Sequence, residues 1–224
     1  MKIRAIILSA LILCGISAVI MYSRAAQPLQ KSSVITQAIN DKNTPMVIKN
    51  LILKMKEQME VNDDQFPELI KEVENYTNSC ADSASVAVLH SMLAEMYQNY
   101  YQRNQWTINQ RTQLSGYIPE DIRVWTSNLF TDKIKEEIDL SLRPTALLQN
   151  TPVSKFKDIL EIGKDSQTLR PTLYEFLAFR ALDIQPTVQI YKDLIAFQNK
   201  EPNMKSVLLT ELDYLRFLYG DKRD

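Results

Sequence analysis

Residues 83–103, SASVAVLHSMLAEMYQNYYQR, carry the longest regular hydrophobic pattern in the chain. One apolar stripe recurs there at spacings of three and four residues: Val86, Leu89, Leu93, Met96 and Tyr100. A second stripe lies beside it: His90, Ala94, Tyr97 and Tyr101. These spacings predict a helix that begins at Asp82 or Ser83 and ends near Arg103. Two adjacent apolar stripes are typical of a helix packed between two neighbours.

Similar periodicity on both sides of this segment predicts seven or eight helices joined by short links. Upstream, Thr44 and Pro45 predict a helix start with Thr44 as the N-cap. Downstream, residues 104–118 break the pattern and predict a long loop. Ile118-Pro119-Glu120-Asp121 then predicts a helix that continues to about Leu142, with its acids in the first turn.

The C-terminal part carries three further apolar stripes and one good boundary. Arg143-Pro144 ends the preceding helix, because a residue before proline avoids the α conformation. The stripes are Leu173, Phe176, Leu177, Ala181 and Ile184; Val188, Tyr191 and Ile195; and Met204, Leu208, Leu212, Leu215 and Tyr219. Gly220 occupies a C-cap position after the last one. We predict helical subdomains at residues 26–142 and 143–224.

Glycine is scarce, with 4 residues in 224, where average usage would give roughly 16. Strand hairpins and phosphate-binding loops both use glycine for positive φ, so few of either are expected. The predicted fold class is therefore all-α. Successive antiparallel pairs favour stacked helical hairpins, loosely like tetratricopeptide repeats or other solenoids, although no clean 34-residue repeat is present.

The N-terminus has the pattern of an export signal at residues 1–25. Lys2 and Arg4 precede an apolar run from Ala5 to Met21, and Ser23 and Ala25 are small residues before a cleavage point. The alternative is an uncleaved anchor, because the run is almost long enough to span a membrane. We expect an exported protein, periplasmic or associated with the cell envelope, that contacts membrane only through this segment.

The composition argues against most catalytic chemistry. His90 is the sole histidine, so two-histidine zinc sites are excluded, and a structural role is its default. The glycines are too widely spaced for a nucleotide-binding loop. The mature chain would keep one cysteine, Cys80, and so no internal disulfide. The near-neutral charge lacks the basic surface that nucleic acid requires. We expect no enzyme activity, no cofactor and no metal.

Two groups of residues leave alternatives open. Adjacent acids could serve a small carboxylate-dependent envelope hydrolase, although helix starts and polar helix faces explain them better: Asp63 and Asp64, Glu120 and Asp121, and Glu136 and Glu137. Aromatic residues near the predicted loop could bind a protein or peptide: Tyr97, Tyr100, Tyr101, Trp106, Tyr117 and Trp125. We favour a core corner for this aromatic set, into which the loop packs.

Several short sequence segments are more distinctive than the hydrophobic pattern that they contain. They are NLILKMK at 50–56, HSMLAEMYQNYY at 90–101, WTI at 106–108, YIPEDI at 117–122, KDIL at 157–160 and LRPTLYEFLA at 169–178. Together they resemble the helical N-terminal region of the large bacterial alpha-2-macroglobulin family proteins. The resemblance covers residues from about 40 onward.

The resemblance implies an exported protein related to protease traps, many of which capture the attacker through a Cys–Gln thioester. This chain lacks a Cys-Gly-Glu-Gln sequence, and Cys80 is followed by Ala81-Asp82-Ser83. We therefore expect a non-catalytic module that scaffolds the remainder of a longer macroglobulin-like chain or holds a partner. On this view the chain is a fragment or a truncated gene product. The alternative is a free-standing helical-repeat adaptor for protein or peptide in the envelope.

Overall fold

The computed structural model describes residues 35–36, 38–39, 43–61, 65–112, 117–160, 165–200 and 203–220. Within these residues the fold is all-helical, as predicted, and the only β feature is an isolated bridge between Pro152 and Thr172. The predicted signal segment, residues 1–25, lies outside the described part. No helix in the described ranges is both long enough and apolar enough to cross a membrane.

The chain divides into two compact units, residues 1–52 and 53–224. The helices of the described residues are α1 (Thr44–Val61), α2 (Phe66–Ser79), α3 (Ser83–Ile108), α4 (Ser127–Ser141), α5 (Thr145–Asn150), α6 (Ser166–Leu169), α7 (Leu173–Ile184), α8 (Val188–Gln198) and α9 (Met204–Tyr219). Short 3-10 helices occupy Ile122–Val124 and Val153–Phe156.

Helix α3 is the central element of the larger unit. It begins at Ser83, one of the two predicted starts, and Asp82 is its N-cap, whose side chain accepts a hydrogen bond from the backbone N–H of Ser85 at 3.1 Å. The helix contacts α2, α4 and α7, which confirms the prediction of packing between neighbours. It ends at Ile108 and not near Arg103, because the fully buried Ile108 side chain anchors one more turn.

The predicted helix start at Ile118 is wrong. Asp121 instead caps the 3-10 helix Ile122–Val124, and α4 begins only at Ser127. The indole Nε1 of Trp125 donates to the carbonyl oxygen of Pro119 at 2.6 Å. This contact holds the intervening backbone in a path that is not α-helical. The N-cap of α1 also differs from the prediction, since Asn43 and not Thr44 accepts the bond from the N–H of Met46.

The predicted subdomain boundary, which begins at Arg143-Pro144, is followed at once by α5 and then by the 3-10 helix Val153–Phe156. Helices from the two sides of it touch, since Arg180 on α7 donates to Ser91 Oγ at 2.9 Å and to Glu95 Oε2 at 2.6 Å on α3. The division into two subdomains stays a prediction, as does the hairpin-stack arrangement.

Helix α7 begins with a complete capping box. The Thr172 hydroxyl accepts from the N–H of Glu175 at 3.3 Å, and the Glu175 carboxylate accepts from the N–H of Thr172 at 3.1 Å. We expect Thr172→Ala to lower the free energy of unfolding by about 1 kcal/mol, because the lost hydroxyl both accepts from the N–H of Glu175 and donates to the Glu175 carboxylate. Urea denaturation measures the loss. Thr187→Ala, which removes the single cap bond of α8, is the control, and an equal or smaller loss at Thr172 would contradict the expectation.

Candidate functional site

Half of the predicted aromatic set lies in the protein core. Tyr97, Tyr100 and Trp125 are buried around Phe130, which is also buried. The Tyr97 and Trp125 rings are nearly parallel with centroids 5.7 Å apart, and Trp125 meets Phe130 edge-on at 5.3 Å. Tyr100 stacks on Phe130 at 5.7 Å. This packing favours the interpretation of these three residues as a core corner.

The other half of the set is accessible. The Trp106 side chain is 79% exposed, Tyr117 is exposed, and Tyr101 is half-buried with its hydroxyl donating to Asn109 Oδ1 at 3.2 Å. The structure therefore does not bring the six aromatics into one surface. A partner-binding role for the set stays a prediction, and only Trp106, Tyr117 and the rim of Tyr101 are open to a partner.

A buried ionic cluster is the feature that the sequence reasoning missed. Glu137 is only 2% exposed, so the interpretation of the Glu136–Glu137 pair as a polar helix face is wrong for Glu137. Its Oε2 lies 2.6 Å from His90 Nδ1, and its Oε1 lies 2.8 Å from Lys133 Nζ. Glu136 is exposed and also contacts Lys133, at 3.0 Å. The i,i+4 spacing of Lys133 and Glu137 was the available sequence signal.

Two further groups, Tyr97 and Glu74, extend the cluster to α2. The Tyr97 hydroxyl donates to Glu74 Oε1 at 2.7 Å, and Lys133 Nζ lies 4.0 Å from that same oxygen. Lys133 also lies over the Tyr97 ring, 6.0 Å from its centroid. The cluster thus links α2, α3 and α4 by charged contacts across the helix interfaces.

The electrostatics of the cluster match a structural ion pair. Burial raises the pKa of Glu137, but the hydrogen bonds from His90 and Lys133 outweigh it and hold that pKa below its ordinary value. Burial, together with the bond to Glu74, raises the pKa of Tyr97 far above its ordinary value. Both oxygens of Glu137 are engaged, so neither is directed at a substrate. The arrangement can lock three helices, and its contacts engage both oxygens of the buried Glu137 carboxylate.

The remaining candidate groups for chemistry are dispersed. Cys80 is a half-buried free thiol whose Sγ lies 4.0 Å from the carbonyl oxygen of Asp82. Asp121 pairs with Arg123, while Asp63 and Asp64 lie outside the described residues. Among the described residues, no three His, Cys, Asp or Glu side chains are grouped so that they could hold a metal ion.

A polar cavity of about 640 Å³ lies beside the buried Glu175 carboxylate. Glu175 Oε1 accepts from Gln198 Nε2 at 3.1 Å, and Gln198 Oε1 accepts from the hydroxyl of Thr210 at 2.8 Å. These polar groups satisfy one another across α7, α8 and α9. The network therefore supports helix packing and leaves no unpaired buried group on these three residues to recognise a ligand.

Helix α9 has an apolar face that is exposed in the described structure. Its predicted apolar stripe is exposed, whereas the residues that face the protein are Ser206, Val207 and Thr210. The expectation that the stripe marks the core side is therefore wrong. We call the exposed stripe the α9 apolar face: Met204, Leu208, Leu212, Leu215 and Tyr219.

The buried side of α9 includes polar contacts to the preceding helices. Ser206 Oγ donates to the carbonyl oxygen of Leu169 at 2.9 Å, and Thr210 donates to Gln198. At 100° per residue the α9 apolar face lies opposite this buried side. A helix that is apolar away from its own core is typical of an element with a second protein surface against it.

Comparison of the chain with protein-family models, with curated proteins and with solved structures finds no match.

Proposed function

We propose that the chain is a non-catalytic, exported helical module that acts through protein contact, with the α9 apolar face as its binding surface. The export-signal pattern at residues 1–25 is the reason for placing it at the cell envelope, and the macroglobulin-like segments are the reason for placing it beside a longer chain or a partner. The exposure of the α9 apolar face is the single observation that carries the binding role.

The size and continuity of this face support the proposal. Leu212 remains 44% exposed and Tyr219 70% exposed in the folded unit. Five large apolar side chains in line along a helix of 16 residues form a patch about 24 Å long. Contiguous apolar patches of several hundred Å² on soluble proteins mark interaction sites, because leaving them in water opposes the hydrophobic effect.

The non-catalytic part of the proposal is supported by how the reactive side chains are used. His90 is paired with Glu137, and that carboxylate is also bound by Lys133. A hydrolase built on the Glu136–Glu137 pair would need both acids to face a substrate. Glu137 is buried between helices, so this remote alternative has no support from the cluster geometry.

The second candidate is the adaptor that binds through the aromatic region. The exposure of Trp106 and Tyr117 favours it, because large exposed aromatics are frequent at binding hot spots. The two surfaces are on different elements, so position-specific probes distinguish them.

Site-specific photo-crosslinking in intact cells tests the proposal. A benzophenone amino acid is placed at Leu212, at Trp106 or at Leu147 in the full chain. Leu147 on α5 is 42% exposed, which matches Leu212 in exposure and in residue type. We expect specific crosslinked protein from position 212 and only background from 147.

The pattern of crosslinks decides between the two surfaces. Crosslinks from Trp106 without any from Leu212 would overturn the proposed surface and favour the adaptor alternative. Background at all three positions would overturn the proposal that contact with a protein is the role of the chain.

A further inference from the structure

We propose that the partner of the α9 apolar face is a second copy of this chain, docked by parallel pairing of two α9 helices. This inference rests on the proposed function, since it takes the α9 apolar face to be a protein contact. It adds the identity of the partner, the direction of the pairing and the residues that set its register.

The spacing of the exposed residues matches a two-stranded seam. Leu208, Leu212, Leu215 and Tyr219 are separated by four, three and four residues, which is the d-a-d-a pattern of a heptad repeat. All four are exposed on the face opposite the buried side. Leucine occupies both d positions, Leu208 and Leu215, and leucine is the residue type found at d in two-stranded coiled coils.

The flanking positions are complementary only in the parallel arrangement. In a parallel pair, a g residue of one helix meets the e residue five positions further along the other helix. Glu211 then faces Arg216 of the second copy, and Met204 faces Leu209 of the second copy. An antiparallel pair joins g to g and e to e. It would leave Glu211 opposite an apolar residue or another Glu211, and Arg216 opposite Leu209 or another arginine.

Arg216 can leave its present partner and pair with Glu211 of the second copy. Arg216 bonds Asp213 of its own helix at 3.1 Å, and both side chains are largely exposed. An exposed i,i+3 pair contributes little to stability, so redirecting Arg216 to a neighbouring helix has a small cost.

The fold also prepares α9 for pairing. The helix is already held by α8, through Tyr191 stacked on Tyr214 at 5.1 Å and on Phe217 at 5.5 Å. Two heptads are too short to pair as isolated peptides, but here the helix is formed before association. Because the buried side is opposite the seam, each copy's larger unit projects away from the helix pair.

The area of the α9 apolar face determines how tightly we expect the two copies to bind. Complete covering of the α9 apolar face would bury on the order of 600 Å² per copy, or about 1,200 Å² in total, the lower bound for stable interfaces. We therefore expect a reversible dimer with a dissociation constant in the micromolar range.

Sedimentation velocity of the full chain across sub-micromolar to high-micromolar concentrations measures this equilibrium. The chain should shift from monomer to dimer with rising concentration. Leu212→Glu puts two like charges in the seam and should weaken dimerisation by at least about 50-fold, since it buries unpaired charge. Leu147→Glu is the matched control and should leave the equilibrium unchanged. A wild-type chain that stays monomeric throughout overturns the inference.

A charge exchange tests the register independently of folding. Glu211→Arg and Arg216→Glu each replace two opposite-charge contacts by like-charge contacts, so each should weaken the dimer by roughly 3- to 10-fold. The double variant restores both pairs and should dimerise like the wild type. Additive weakening in the double variant overturns the parallel register.

Disulfide trapping tests direction in a Cys14→Ser, Cys80→Ser background. Leu208→Cys alone should crosslink to itself, because identical d residues meet across a parallel pair. An antiparallel pair places a residues opposite d residues, so crosslinks that form only when Leu208→Cys is mixed with Tyr219→Cys would show antiparallel pairing and overturn the inference.

The crosslinks from position 212 separate this inference from the proposed function. In cells that express two differently tagged copies, we expect the crosslinked product to carry both tags. A product that holds a different protein overturns the second-copy inference and leaves the proposed function intact, whereas background crosslinking overturns both.

Discussion

Replacing Trp125 by alanine should lower the free energy of unfolding by about 3–5 kcal/mol, the usual range for truncating a buried tryptophan. The indole stacks on Tyr97, meets Phe130 edge-on and bonds the carbonyl oxygen of Pro119. The substitution would open a cavity between α3 and α4 and free the segment before α4. Urea or thermal unfolding of the full chain, followed by far-ultraviolet circular dichroism, measures the loss.

Trp106→Ala is the matched control for this prediction, because it removes the only other tryptophan. Its side chain is almost fully exposed, so we expect a change within about 0.5 kcal/mol. Comparable losses at Trp106 and Trp125 would contradict the assignment of Trp125 alone to the core. If the adaptor alternative holds, Trp106→Ala should instead abolish partner binding while the fold is unchanged.

Glu137→Ala should destabilise the protein by about 3–5 kcal/mol, because it removes the buried acid that pairs with both His90 and Lys133. Lys133 would retain only the exposed Glu136 and the more distant Glu74, and His90 would lose its bond to α4. Chemical denaturation at neutral pH measures the effect.

The neighbouring Glu136→Ala is the control for the cluster. Glu136 contacts the same lysine from an exposed position, so its removal should cost less than about 1 kcal/mol. Equal effects at Glu136 and Glu137 would contradict a buried structural role for Glu137.

The stability that Glu137 provides should depend on pH in one direction. Its pKa in the folded protein is held below the ordinary carboxyl value by the bonds from His90 and Lys133, despite burial. The contribution is therefore complete above the ordinary carboxyl pKa and is lost as pH falls through the lowered value. The stability difference between the wild type and Glu137→Gln should shrink accordingly in acid. A difference that grows in acid would contradict this linkage.

Hydrophobic spacing was sufficient to predict the helical fold and most helix positions. It failed at the start of α4, because a side-chain bond from Trp125 to the carbonyl oxygen of Pro119, which hydrophobic spacing does not reveal, overrides the helical tendency of Ile118–Asp121. It also failed at α3, where the buried Ile108 extends the helix beyond a stretch of polar residues. Local patterns do not contain contacts of this kind.

The candidate surfaces were harder to predict than the fold. A stripe at helical spacing identifies an apolar face but not whether that face meets its own protein or another surface. For α9, small polar residues occupy the core side, where Ser206 and Thr210 bond Leu169 and Gln198. The pairing of His90 with Glu137 joins residues 47 positions apart, so only the folded chain places them together.

Maleimide labelling in intact cells tests the central claim most directly, namely that a protein covers the α9 apolar face where the chain works. Leu212→Cys and Leu147→Cys are compared in a background in which Cys14 and Cys80 are replaced by serine. The two positions are almost equally exposed in the structure, at 44% and 42%. We expect position 212 to be protected in cells and to react as fast as 147 in dilute purified protein. Equal labelling of both positions in cells would contradict the account.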